Sequence, residues 1–316
     1  MSEPRGQHYV PQVYLRAFAD RDTIRVHRRP ESGQQPTPFD TNVKNVAKRR
    51  DVYSVKTDEG RDRYIDKNFE RVENLLAAVL VPVVAGRLLT EAQWDSLKYL
   101  AAIQEIRGPE VIDSFADATT RVQEQMRSLY RQHRPEWTED DIERAVQEKY
   151  PSQKLSRELA AAPRNIALTS TNSVVPQFAQ HLKSFRATII TSGAQDFMTS
   201  NRPVVWFDPD DYPPHKFYGF NRQSPTIEVT YPLTRRKCLL LYLYPGAVKQ
   251  YALANYAAVR MVNSRTRSGA KEVYAYPTQD AQERQVQLAD LGSEAFAFPL
   301  LVTLLDSEAN ANEASS

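Results

Sequence analysis

Along the chain the apolar positions change their period. Ile65, Phe69, Val72, Leu76, Val79 and Val83 recur at steps of three and four, which predicts a helix over 65–84 with one core-facing stripe. The following run, "TEAQWDSLKYLAAIQEIRGP", opens on Thr90 with Gln93 three positions on, the pattern of a capping box, and stops at Gly108-Pro109. A second helix with both ends marked is expected there. Residues 110–186 stay helical in pattern but turn highly charged, with Thr138 as a cap for "TEDDIERAVQEKY", and read as a solvated helical insertion. From about residue 187 short β-branched or aromatic runs take over: "ATIITS", "QDFMTS", "PVVWFDP", "TIEVTYPL", "KCLLLYLYP" and "EVYAYP", separated by Gly, Pro and Asn. They predict a mainly antiparallel sheet. Near the start, "TIRVHRRP" and "RDVYSVKT" alternate as a pair of strands would, with "ESGQQPTPFDTN" as the loop between them. The sum is an α+β fold: one domain over 1–306 with the helical insertion inside it, then a polar tail over 307–316.

Charge narrows the choice of partners. The 41 basic and 39 acidic residues nearly cancel, so no global field commits the chain to nucleic acid or to a membrane surface. A polyanionic partner such as nucleic acid has to be met by the local clusters Arg28-Arg29, Lys48-Arg49-Arg50 and Arg235-Arg236-Lys237, although short charge runs are more often simply solvated. The single cysteine, Cys238, excludes an intramolecular disulfide framework and suits a reducing cytoplasm. The longest apolar candidate, "LLAAVLVPVVAG", is too short for a membrane span and contains Pro82, so no membrane partner is expected. Phosphate loops, dinucleotide fingerprints, nucleophile elbows and His-Glu-x-x-His helices are absent, which disfavours the common nucleotide hydrolases, dehydrogenases, α/β-hydrolases and zincins.

Several polar residues stand where the pattern asks for apolar ones. Glu73 shares or borders the stripe of Phe69, Leu76 and Leu80, and a buried carboxylate needs a partner. It is either half of a structural ion pair or a functional carboxylate, with Glu70 one turn back able to share a metal ion with it. On the capped helix, Gln104 continues the face of Trp94, Leu97 and Ala101, and Arg107 follows one turn on. These two either tie down a loop or present donors to a carboxylate or phosphate. The opening stretch "GQHYVPQVYLRAFAD" is too aromatic for a disordered leader. Pro11 suits the start of a short helix, which puts His8 just before it and Gln12 and Arg16 one turn apart on it. In "AQDFMTSNRPVVWF", Asp196 opens a strand-like run, Thr199 and Ser200 end it, and Asn201 lies in the turn beyond. Strand ends hold turn caps and also site residues.

In "HYVPQVYLRAFA", "KNVAKRRDVYSV", "FERVENLLAAVL", "AAIQEIRGP", "DFMTSNRPVV", "YPLTRRKCLLL" and "EVYAY", taken in this order, the chain resembles a bacterial domain-of-unknown-function family, number 4238, over nearly its whole length. The resemblance implies no settled activity, but it sets His8 among the residues of the family's opening signature. One position departs from the family's usual Thr-Ser-Asp-Asn-Pro, because this chain has Asn201 and Arg202 in "TSNRP". Any metal-binding or basic role of that aspartate is missing here.

Two functions remain in view. One is a nuclease-like hydrolase dependent on Mg or Mn, with His8 as base or ligand, Glu73 and Asp196 as water-activating or metal-binding carboxylates, Glu70 beside Glu73, and Arg107 on a phosphate. Gln12, Arg16, Gln104, Ser200 and Asn201 would then contact substrate. The other is a non-catalytic binding or regulatory module in which the same residues form an internal polar network and the basic clusters meet the partner. In either case His8, Glu73 and Arg107 are expected to converge, because buried polar groups far apart in sequence must find partners.

Overall fold

The computed structural model describes residues 6–29, 36–62, 64–151, 155–193, 195–211, 221–244, 249–278 and 300. The fold is α+β. It begins with strand β1 (Gly6–His8) and a short helix α1 (Gln12–Leu15), followed by strands β2 (Thr23–Arg28), β3 (Phe39–Asn42), β4 (Lys48–Arg50), β5 (Val55–Thr57) and β6 (Gly60–Asp62). The helices α2 (Tyr64–Val84), α3 (Glu91–Ile106), α4 (Pro109–His133), α5 (Glu139–Gln147), α6 (Arg157–Ala161) and α7 (Pro163–Lys183) come next. Strands β7 (Arg186–Ser192), β8 (Thr199–Ser200), β9 (Val205–Phe207), β10 (Glu228–Thr234), β11 (Lys237–Tyr242) and β12 (Tyr251–Ala254), helix α8 (Tyr256–Ser268) and strand β13 (Glu272–Ala275) complete it.

The main sheet has five strands in the order β12-β7-β11-β10-β9, and a second has four in the order β3-β2-β13-β8. Pairing is antiparallel except between β12 and β7. The near-continuous apolar run of β11 follows from having both faces covered. Leu239 and Leu241 join the core formed with α1, α2, α3 and α7, while Cys238, Leu240 and Tyr242 pack against Ala258, Val259 and Val262 of α8. Helix α7 is a core element, with Leu168, Val175, Ala179 and Leu182 buried, whereas α5 buries only Ile142 and Val146 and faces solvent elsewhere.

The two marked helices form as the pattern predicts. Thr90 and Gln93 make the reciprocal capping box at the start of α3, and Thr138 and Asp141 make another at α5. Three expectations need correction. β2 pairs not with a strand from "RDVYSVKT" but with β3, which lies inside the expected loop. Val55–Thr57 instead makes a two-stranded ribbon with β6. The C-terminal half also contains a helix the strand-like pattern conceals, α8, capped by Asn255, whose Oδ1 accepts from the Ala258 N–H at 2.8 Å. The polar tail lies outside the described residues.

The opening segment is part of the core. Val10, Tyr14, Leu15 and Phe18 are fully buried. The Tyr14 hydroxyl donates to the Pro232 carbonyl at 2.5 Å and lies 2.6 Å from Thr199 Oγ1, which ties α1 to β10 and β8. Ahead of it β1 pairs with β4 in the register Gly6 to Arg50, Gln7 to Arg49 and His8 to Lys48.

Candidate functional site

Helix α3 ends where the chain needs donors. Arg107, its C-cap residue, is 2% exposed. Its Nη2 donates to the His8 carbonyl at 2.6 Å, and its Nε to the Tyr53 hydroxyl at 3.3 Å. The Tyr53 hydroxyl in turn donates to the Arg107 carbonyl at 2.7 Å. The guanidinium lies 4.8 Å from the Phe69 ring centre and 3.8 Å from Glu73 Oε1. One turn earlier, Gln104 Nε2 donates to the Tyr9 carbonyl at 3.0 Å. Two consecutive carbonyls of the opening segment are therefore clasped by two side chains of one helix end.

His8, Glu73 and Arg107 converge, but not as a catalytic triad would. His8 contributes its backbone oxygen. Its imidazole is half-buried, and burial, then the nearby Lys48, hold its pKa below the usual histidine value. Glu73 is 32% exposed and meets Arg107 at ion-pair distance. The side chain of Glu70 lies outside the described residues. Asp196 is drawn into a different cluster, 2.6 Å from Arg235 Nη2 and 3.1 Å from Arg236 Nε, with its carbonyl accepting from Asn263. Arg16 makes a surface ion pair with Asp22 at 2.9 Å, with both side chains about half exposed, so it does not share a cleft with Arg107. Gln12 opens α1 and is partly buried. Ser200 is fully buried, its Oγ accepting from the Arg202 N–H. Among the described residues no group of three or more His, Cys, Asp or Glu side chains is placed to hold a metal ion.

The other side of the opening segment faces a cleft of about 1430 Å³. Its walls come from β2, β3, β4, the start of α4 and the turn into β13, and they bring together Arg28, Arg29, Lys48, Arg49 and Lys271. Tyr9, Phe39, Glu110, Asn201 and Glu272 line the same space. Tyr9 is hydrogen-bonded to Tyr274, and burial, reinforced by the Glu272 and Glu110 carboxylates, pushes its hydroxyl up to about 12. Tyr274 donates to Glu272 Oε2 at 2.8 Å, and Arg28 Nε to Glu272 Oε1 at 3.0 Å. Glu110 Oε2 is buried without a hydrogen-bond partner, and its other oxygen is 4.0 Å from Lys271 Nζ. At the rim Arg28 sits 4.9 Å from the ring centre of Phe39, which is 39% exposed.

The cations owe their position to backbone geometry. Ala47 and Asp51 flank β4 with φ of 48° and 54°, the left-handed region that non-glycine residues seldom adopt. Between these two turns Lys48–Arg50 projects three consecutive basic side chains on a strand that, among the described residues, pairs with β1 alone.

Over residues 6–279 the chain matches the family described as Protein of unknown function (DUF4238). It belongs to the DUF4238 family. No curated protein and no solved structure matches the chain. Within this DUF4238 protein Asn201 has a clear structural task. Its Oδ1 accepts from the Lys271 and Glu272 N–H groups at 3.0 and 3.1 Å, and its own N–H donates to the Glu272 carbonyl. An aspartate can accept the same two bonds, so Asn201 keeps the clamp on the turn before β13 and removes one negative charge from the cleft. Sequence reasoning overlooked Tyr9, Glu110, Lys271 and Glu272. Their signal was position: Tyr9 and Glu272 fall inside the pieces that carry the family resemblance, and Glu110 directly follows one.

Proposed function

We propose that this protein binds single-stranded nucleic acid in the cleft between β4 and β13. The observation that carries this reading is the convergence of Arg28, Arg29, Lys48, Arg49 and Lys271, from three distant parts of the chain, beside the exposed ring of Phe39. Clustered cations favour a phosphate backbone, and an exposed aromatic offers a stacking face that any base can use. A concave site walled by several elements suits a flexible strand better than a rigid duplex. The polar network of Arg107 supports the binding reading over the catalytic one, because its Nη2 and Nε donate to the protein's own His8 carbonyl and Tyr53 hydroxyl. The single thiol, Cys238, is buried, and no helix among the described residues is long and apolar enough to cross a membrane; a bacterial cytoplasmic setting fits both.

Fluorescence anisotropy with labelled DNA and RNA strands of roughly 12 nucleotides, and with matched duplexes, tests it over salt from about 50 to about 200 mM. Single strands should bind with a steep negative salt slope, and Lys48→Glu and Lys271→Glu should each weaken binding about tenfold without changing the melting temperature. Failure of the wild type to bind any strand at the lowest salt would overturn the reading.

The hydrolase reading keeps one specific support: the carboxylates Glu110 and Glu272 stand in the same cleft as the cations. The same strands incubated with magnesium or manganese and resolved on a denaturing gel decide it. Cleavage abolished by Glu110→Gln would establish it, and intact strands would remove it.

A further inference from the structure

Beyond β4 lies a second basic concavity, of about 600 Å³, lined by Arg49, Arg50, Asp51, Ser54, Lys56, Arg61 and Arg164. Five cations face one carboxylate there. Asp51 pairs with Arg61 and lies 3.6 Å from Arg50, while Asp113, outside the lining, is shared by Arg49 at 2.6 Å and Arg164 at 2.8 Å. Two carboxylates leave the five cations with a net positive charge, and two of these cations are also held by contacts that do not neutralise them. Arg164 Nη2 donates to the Val52 carbonyl at 3.0 Å. The backbone of Lys56 is fixed by the buried Asn165, whose Oδ1 accepts its N–H at 3.0 Å and whose Nδ2 donates to its carbonyl at 2.9 Å. Keeping like charges this close is unfavourable unless an anion enters, and solvent-facing guanidinium groups are suited to phosphate oxygens.

Arg49 lines both this pocket and the larger cleft. We infer that the second pocket is a phosphate subsite for the same bound strand, so that one nucleic-acid backbone crosses β4 and occupies both sides of it. The inference rests on the binding reading above and adds to it a path and a minimum length. A strand too short to cross β4 fills the cleft alone.

The test compares a strand of about 3 nucleotides with one of about 12, titrated at low salt into wild type, Lys56→Glu and the double variant Lys56→Glu/Arg50→Glu. Lys56 and Arg50 are exposed, and an unchanged melting temperature checks that the variants fold. The expected result is that the short strand binds all three proteins within about twofold. The long strand should lose about tenfold or more in the double variant, and its salt slope should flatten by about 1. Equal loss for both strands, or no loss for the long one, would overturn the subsite while leaving the cleft in place. Absence of binding to wild type at either length would overturn the cleft reading and the subsite together.

Discussion

Replacing Arg107 by Met removes the guanidinium but keeps most of the apolar stem, so it isolates the polar network. The wild-type side chain is 2% exposed and donates to the His8 carbonyl and the Tyr53 hydroxyl. Losing a charge-assisted hydrogen bond and leaving its buried acceptor without a donor costs about 1.5–3 kcal/mol, and the lost stacking on Phe69 about 0.5–1 kcal/mol more. With the weaker bond to Tyr53 the total reaches about 3–5 kcal/mol, the usual cost of breaking a buried charged network. Unfolding entropies near 2.1 cal/mol/K per residue give a chain of 316 residues about 0.66 kcal/mol/K, so Arg107→Met should melt about 5–8 °C below wild type. Glu73→Gln should behave differently. That carboxylate is 32% exposed and 3.8 Å from its partner, so water can replace the pair and the loss should stay within about 1 kcal/mol, or about 2 °C. Calorimetry on the two variants at neutral pH separates the cases. A melting temperature for Arg107→Met within about 1 °C of wild type, or a Glu73→Gln loss equal to it, would refute the network as described.

Asn201→Asp should leave the melting temperature within about 2 °C of wild type, since a carboxylate accepts the same two N–H bonds, but it adds a negative charge beside Glu272 and should weaken strand binding about three- to tenfold; unchanged affinity in the anisotropy titration would place the strand elsewhere. Burial, then Arg25 and Arg267, lower the His27 pKa from 6.5 to about 4. Because the folded value lies below the unfolded one, the unfolded chain takes the proton first: stability is complete above about pH 6.5 and declines as pH falls through 4, by about 3 kcal/mol at most. Urea unfolding at several pH values in that window should show a smaller acid loss for His27→Gln than for wild type, and parallel curves would contradict the assignment.

What could be read in advance depended on how local the signal was. α3 and α5 announce themselves because a capping box is written within four residues. β3 could not be seen, since Phe39–Asn42 is exposed or half-exposed and becomes a strand only through its pairing with β2. α8 was hidden because its sequence carries Asn, Ser, Thr and Arg at positions that the fold buries, including Arg265, which is satisfied by Glu228 at 2.6 Å. The site shows the same division. Gln104 and Arg107 were legible as polar residues at apolar edges, but they meet the carbonyls of Tyr9 and His8, backbone groups that every residue possesses and no composition reveals. Asp196 looked equally suitable, and only its ion pairs with Arg235 and Arg236, at the turn between β10 and β11, assign it to another cluster.

The network and the cleft meet in one segment. Arg107 and Gln104 hold the carbonyls of His8 and Tyr9 from the core side. On the opposite side Tyr9 lines the cleft and its N–H donates to the Ala47 carbonyl at 2.9 Å, at the turn that launches β4. Among the described residues β4 pairs with β1 alone, so the position of Lys48, Arg49 and Arg50 depends on a segment that α3 clasps from behind. Three consecutive basic residues between two left-handed turns repel one another and carry backbone strain, and the pairing with β1 opposes both. The buried Arg107 therefore supports, through the opening segment, the strand that carries Lys48, Arg49 and Arg50. This gives the N-terminal signature its physical reason: aromatic and apolar residues anchor it, two carbonyls lock it to α3, and the side left over carries the strand on which the basic surface is built.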